Sequence, residues 1–293
     1  MMILRLIASA LPFFPLVNGN CKARPALTSA SPQRSSLGQA LSLTAYRVPG
    51  VNDDSYKHIG YFVYEPKGPG LVEMVFVGLP GDVGLFSVKC EHASYHSSWF
   101  RLRPNGIDKD IIHVVPEEGL EFSEYENWIV RTEAACPGGA IQKHDLTVFY
   151  ATEAGDVQAI IGGVIVTLNR TWLPLIPGLY STGDSSKFGV QMQYNISIDG
   201  TVAVELGCAG GGVTGFKKYK LVGTGLGNHY EVKPTVDGDT LEDLVGSLEA
   251  ACPGVSGDEV LAETYQTVGF ATEGVIFVTG NFYEGNILRR QFP

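Results

Sequence analysis

The hexapeptide Glu133-Ala134-Ala135-Cys136-Pro137-Gly138 occurs twice in this chain, returning 116 residues later as Glu249-Ala250-Ala251-Cys252-Pro253-Gly254. Its flanks repeat in the same order. Gly60 precedes Cys90 by 30 residues, as Gly178 precedes Cys208, and Val72, Met74 and Phe76 fall on Val190, Met192 and Tyr194. Val114-Val115-Pro116 matches Val232-Lys233-Pro234. Val148 to Glu153 then matches Val268 to Glu273, with four extra residues in the second copy. Agreement in both order and spacing makes this a duplication, so the two halves must reach the same solution. Repeat 1 is expected over 54–168 and repeat 2 over 171–290. The short join contains Trp172, Leu173, Leu175 and Ile176. Such an apolar connector should lie against the halves it links.

Within a repeat the pattern is mainly that of strands. Leu71 to Val77 and Val83 to Cys90 flank Gly78-Leu79-Pro80-Gly81-Asp82. In the second copy Gly189 to Ile198 and Thr201 to Cys208 flank Asp199-Gly200, a strong hairpin signal. Ser98 to Arg103 and Ile111 to Val115 form a second hairpin, matched by Lys217 to Val222 and Tyr230 to Lys233. A helix then ends at the cysteine. Ser123 with Glu126, and Asp239 with Glu242, have capping-box spacing, and Leu241, Leu244, Val245 and Leu248 give one apolar face. Cys-Pro-Gly stops both helices, because proline cannot continue the ladder. Two strands close each repeat: Asp145 to Thr152 with Val157 to Leu168, and Glu263 to Ala271 with Val275 to Phe282. The expected fold class is α+β: two tandem units, each ββββαββ, a mostly antiparallel sheet with one helix across it.

Four of the five cysteines occupy equivalent places. Pairing within repeats gives Cys90–Cys136 and Cys208–Cys252, and loop closure makes each worth about 4 kcal/mol. Crossed pairing between repeats also respects the duplication, but would stop either half from folding alone. Cys21 has no partner, and is either free or bridges two chains as a homodimer.

The compartment follows from the N-terminus. Arg5, the apolar stretch Leu6 to Val17 and Val17-Asn18-Gly19 read as a signal peptide over 1–19. About twelve apolar residues fall short of the roughly twenty that span a membrane. Residues 20–53 are rich in Ser, Pro and Ala, carry Lys22, Arg24, Arg34 and Arg47, and read as a flexible basic arm. The expectation is a secreted protein, with Asn169 and Asn195 as candidate glycosylation acceptors in Asn169-Arg170-Thr171 and Asn195-Ile196-Ser197.

A net charge of −10 argues against a nucleic-acid partner. Motifs of common catalytic sites are missing: no Gly-x-Ser-x-Gly elbow, no His-Glu-x-x-His and no phosphate-binding loop. Neither a catalytic residue nor a cofactor is assigned. His92 and His96 beside Glu91 have loose metal-ligand spacing, but the second repeat has glycines there, and no metal is assigned. Glu153 and Glu273, one per repeat, could face each other as glycosidase carboxylates do.

The segment after Cys90 carries Tyr95, His96 and Trp99, aromatics beside a titratable ring, suited to stacking on a sugar or gripping a peptide. Phe100-Arg101-Leu102 and Tyr219-Lys220-Leu221 place a cation after an aromatic in both copies, with Lys218 close by. Such cations attract an anionic ligand; strand cations also serve to discourage edge-to-edge pairing. The candidate ligand contacts are therefore Tyr95, His96, Trp99, Arg101, Lys218 and Lys220. The function expected is a non-enzymatic extracellular binding protein for a glycan or protein. Two other readings are a hydrolase with its site in the inter-repeat cleft, and a coat or matrix protein crosslinked through Cys21.

Overall fold

The computed structural model describes residues 56–67, 70–115, 121–138, 141–183, 189–208, 211–225, 227–256, 267–279 and 286–292. The expected leader, the basic arm and Cys21 lie outside the described residues.

A 3₁₀ turn, Tyr56–His58, leads into β1 (Gly60–Tyr64), β2 (Leu71–Leu79), β3 (Val83–Cys90), a short β4 (Ser94–His96), β5 (Phe100–Pro104) and β6 (Ile111–Val115). Then come α1 (Glu121–Ala135), β7 (Val148–Ala151), β8 (Val157–Ile161) and β9 (Val164–Thr171). The second copy runs β10 (Gly178–Ser181), β11 (Val190–Ile196), β12 (Thr201–Cys208), β13 (Lys217–Gly223) and β14 (His229–Pro234). It ends with α2 (Leu241–Ala251), β15 (Thr267–Thr272), β16 (Val275–Thr279) and β17 (Asn286–Gln291). Each set closes into an eight-stranded antiparallel barrel. One is β1-β2-β3-β5-β6-β7-β8-β9, with β4 attached to β3, and the other runs from β10 to β17. The chain is thus mostly β, with two helices.

The registers repeat as well. Phe62 pairs with Phe76 as Tyr180 pairs with Tyr194, and Gly84 with Phe100 as Val202 with Tyr219. Inward positions alternate with outward ones, clearest in β11, where Val190, Met192, Tyr194 and Ile196 are buried and Gln191, Gln193 and Asn195 are exposed.

The unit is five strands, a helix and three strands, which corrects the expected ββββαββ. Two strands were hidden in the sequence because they are short: Gly60–Tyr64 and Gly178–Ser181 have five and four residues. A third, Asn286–Gln291 of the second copy, lies beyond the expected last strand, and a fourth was hidden by continuity. Val157 to Leu168 reads as one apolar run, but Gly162 and Gly163 both take positive φ, 63° and 74°, and fold it into the β8–β9 hairpin. These additions let the sheet close on itself, which leaves the barrel strands with partners on both sides.

The helices also begin differently. Helix α1 starts at Glu121, so Ser123 lies inside its first turn, and the Ser123 side chain is outside the described residues. Helix α2 is capped by Thr240 and Asp243, one residue beyond the expected Asp239 and Glu242. The Thr240 hydroxyl accepts from the Asp243 N–H while the Asp243 carboxylate accepts from the Thr240 N–H. Both helices close the upper mouths of their barrels. Trp128 of α1 packs against Phe86 and Phe100, and Leu244 and Leu248 of α2 join the second core. Disulfides Cys90–Cys136 and Cys208–Cys252 fasten each helix end to the end of the third barrel strand.

At the lower ends the barrels meet. Arg170 of β9 is half-buried with its guanidinium enclosed, and donates from Nε to the Gly155 carbonyl at 2.7 Å, from Nη1 to that of Ile59 at 2.6 Å, and from Nη2 to that of Lys57. Its guanidinium stands 4.6 Å from the Phe62 ring of barrel 1, 5.1 Å from Trp172 of the connector and 5.3 Å from Phe277 of barrel 2. Gly60 makes room for it, since a Cβ there would lie 2.7 Å from Nη1. Around this group Ile59, Ala271, Val275 and Phe277 form a buried cluster, with Trp172 and Ile287 packed on it. Burial pushes the Arg170 pKa down to about 10, against the opposing pull of Asp156, so the group stays ionised at neutral pH.

Replacing Arg170 by Ala strands three carbonyls and opens a cavity, and is expected to cost about 3–5 kcal/mol in denaturant unfolding. Arg170→Lys should recover little of this, because one ammonium cannot serve three separated carbonyls. Thr240→Ala should cost about 1 kcal/mol at neutral pH. The Thr240 N–H and hydroxyl hold the Asp243 carboxyl below its usual range, so this cap stabilises above about pH 4 and fails as acid protonates it. The Thr240→Ala deficit should therefore shrink in unfolding measured toward pH 2.

Candidate functional site

An eight-stranded barrel encloses space that side chains can fill, or that holds one small ligand. Here side chains fill it. Phe76 and Phe149, on the opposite strands β2 and β7, stack at 4.1 Å across barrel 1, with Phe62 5.8 Å from Phe76. In barrel 2 Tyr180, Tyr194 and Tyr219 stand in the places of Phe62, Phe76 and Phe100, within one buried cluster that includes Phe270 and Met192. Tyr180 donates to the Ile176 carbonyl and Tyr219 to that of Thr240, which keeps the phenols neutral. Burial raises both pKa values.

At the junction between the barrels, Arg170 is packed with aliphatic and aromatic side chains. Glu153 and Glu273 sit exposed in lower turns, and Glu273 acts on Tyr61 of barrel 1. His92 pairs loosely with its neighbour Glu91 at 3.9 Å, both well exposed. Among the described residues no three His, Cys, Asp or Glu side chains converge as a metal site requires.

The outer wall of barrel 1 offers more. Beyond β4 the chain breaks step for three residues before β5 resumes the sheet. Ser97 makes the transition: its N–H donates to the Phe86 carbonyl at 2.9 Å and its hydroxyl accepts from the Phe86 N–H at 2.9 Å. Ser98 turns to the helix, where its Oγ accepts from Trp128 Nε1 at 3.1 Å and donates to the Glu124 carboxylate. Between these fixed residues and the barrel wall, Trp99 points outward and is 52% exposed.

The sequence candidates separate once placed. Arg101 and Arg103 are exposed on the outward face of β5, with Trp99 immediately before the strand, while Phe100 and Leu102 point into the core. His96 is exposed on β4. Tyr95 turns the other way, edge-on to Phe86 at 6.2 Å, and burial raises its pKa, with Arg131 lowering it and Glu124 raising it. Lys218 and Lys220 lie on β13, the corresponding strand of the other barrel. Lys218 is exposed, and Lys220 reaches the Asp199 carboxylate at 3.4 Å.

No protein-family model, curated protein or solved structure matches the chain. Its chemistry must be read from geometry alone.

That geometry removes one explanation for the cations. Strand β5 is bonded to β3 at Arg101↔Val83 and to β6 at Arg101↔Val115, and β13 likewise lies between β12 and β14. Neither strand is an edge, so there is no unpaired ladder for these cations to guard. Arg103 escaped the sequence reading because only the Phe-Arg-Leu triplet was compared. The alternation Trp99, Arg101, Arg103 on a strand could have shown it.

Trp128 is only 2% exposed and Trp172 is half-buried. Iodide quenching of tryptophan fluorescence should therefore report mainly Trp99. Trp99→Phe is expected to abolish most of it while changing stability by less than about 0.5 kcal/mol. Trp128→Ala, by contrast, should cost about 3–5 kcal/mol.

Proposed function

We propose that this is a secreted, non-enzymatic binding protein whose ligand surface is the outer wall of barrel 1, centred on Trp99. The observation that carries the reading is the exposed ring of Trp99 immediately before β5, followed by the outward cations Arg101 and Arg103 on that strand, which has partners on both sides. A large ring half in water loses burial energy of order 1–3 kcal/mol, and a rigid mount makes that exposed face available at little entropic cost to a partner. His96 flanks the row. Tyr95 supports it from behind by packing under α1.

Export is part of the same reading. The leader-like N-terminus, the two disulfides and the exposure of both candidate acceptors, Asn169 on β9 and Asn195 on β11, favour an oxidising, glycosylating route. Among the described residues no helix is long and apolar enough to cross a membrane.

The test is a glycan and peptide array probed with the purified secreted chain, repeated with Trp99→Ala. A retained ligand whose affinity falls at least 10-fold in the variant, at unchanged melting temperature, is the expected result. Failure to retain any ligand at micromolar concentration, or equal binding by Trp99→Ala, would overturn the proposal.

A further inference from the structure

Barrel 2 carries the same device, displaced along its wall. Thr214 repeats the clamp of Ser97: its N–H donates to the Leu206 carbonyl at 2.8 Å and its hydroxyl accepts from the Leu206 N–H at 2.9 Å. Two residues later Phe216 is 50% exposed, as Trp99 is two residues after Ser97. Lys218 and Lys220 follow at the same alternating spacing as Arg101 and Arg103. The pattern hydroxyl, aromatic, cation, cation on every second residue thus occurs in both copies.

The displacement is informative. By sheet register Arg101 corresponds to Lys220, since they pair with Val83 and Thr201 at equivalent ends of β3 and β12. Counted within the pattern, however, Arg101 corresponds to Lys218. The pattern has moved one outward position toward the upper end of barrel 2, and its clamp has moved with it from Phe86 to Leu206. Positions that merely needed to be polar would have stayed in register with the barrel. Here the order of side chains is kept while its place in the barrel is not.

Resting on the reading of the barrel 1 wall as a ligand surface, we infer that the chain has two such surfaces and that their ligand is an acidic polysaccharide. Alternate residues of a strand stand about 6.6–6.8 Å apart, which sets the spacing of the two cations in each ladder, and in each copy the ring is on the residue just before the strand. That suits an extended chain with a flat C–H face for the ring and an anionic group for each cation. A nucleic acid is the competing polyanion; the export reading, with its two disulfides, favours a glycan over it, while the excess of 31 Asp and Glu over 21 Lys and Arg confines either polymer to the ladders. The two ladders are not equal. Arg101 and Arg103 have no ion-pair partner among the described residues. Lys220 is engaged by Asp199, whose carboxyl is held down to about 2, chiefly by the Thr201 hydroxyl and amide. Barrel 1 is therefore the stronger site.

The experiment titrates the secreted chain with short heparin oligosaccharides, alongside neutral dextran, poly-dT and poly-glutamate, and reads stoichiometry and affinity by calorimetry. Two heparin fragments per chain are expected, one tighter than the other. The tight site should be lost in Trp99→Ala/Arg101→Ala/Arg103→Ala and the weak site in Phe216→Ala/Lys218→Ala, with melting temperatures unchanged. Asp199→Asn should tighten the weak site about 3-fold or more. One fragment per chain, with no effect of the barrel 2 variant, would overturn the second site and leave the barrel 1 reading standing. Binding of poly-dT or poly-glutamate as tight as heparin would overturn the ligand class, as would a Trp99-dependent ligand on the arrays with no affinity for heparin.

Discussion

One buried guanidinium organises the meeting of the two barrels. Arg170 satisfies carbonyls from the 3₁₀ entry turn, from the residue before β1 and from the β7–β8 turn, and it does so under three rings drawn from barrel 1, the connector and barrel 2. Burying a charge is costly unless its donors are all used, and here hydrogen bonds and ring faces together supply the compensation. The lower closure of barrel 1, the path of the connector and the seating of barrel 2 all converge on it. Its counterpart Arg290 keeps the same register opposite Tyr180 but lies beside the Phe292 ring at the rim. The duplication thus preserved the position and specialised one copy for joining.

The cores diverged in a matching way. Barrel 1 fills its interior with phenylalanines, whereas barrel 2 uses tyrosines whose hydroxyls reach the connector at one end and the start of α2 at the other. What Arg170 does for the lower end of barrel 1 by charge, Tyr180 does for barrel 2 with a single neutral hydrogen bond. The same fold accommodates both because Arg170, Tyr180 and Tyr219 each find backbone carbonyls to donate to.

Much of this was legible in the residues. The repeated hexapeptide and its flanks gave the two-copy plan, and equivalent cysteine positions gave both disulfides. Barrel closure was not legible, because it depends on strands of four or five residues and on reading Gly162-Gly163 as a turn inside an apolar run. The surface was half visible. Aromatic and cationic residues stood out, but Trp99 cannot be told from a core tryptophan such as Trp128 without knowing which way each points. Phe216 was missed because the match to Trp99 is out of step with the cysteine-anchored alignment.

Both disulfides lie at the upper ends of the barrels, and the shared apolar junction lies at the lower ends. A reducing environment would therefore loosen the helical lids, which Trp128, Leu244 and Leu248 still anchor in the cores, while leaving the partnership of the barrels intact. The chain is built like a pair of lidded jars fused at the base, with its redox sensitivity confined to the lids.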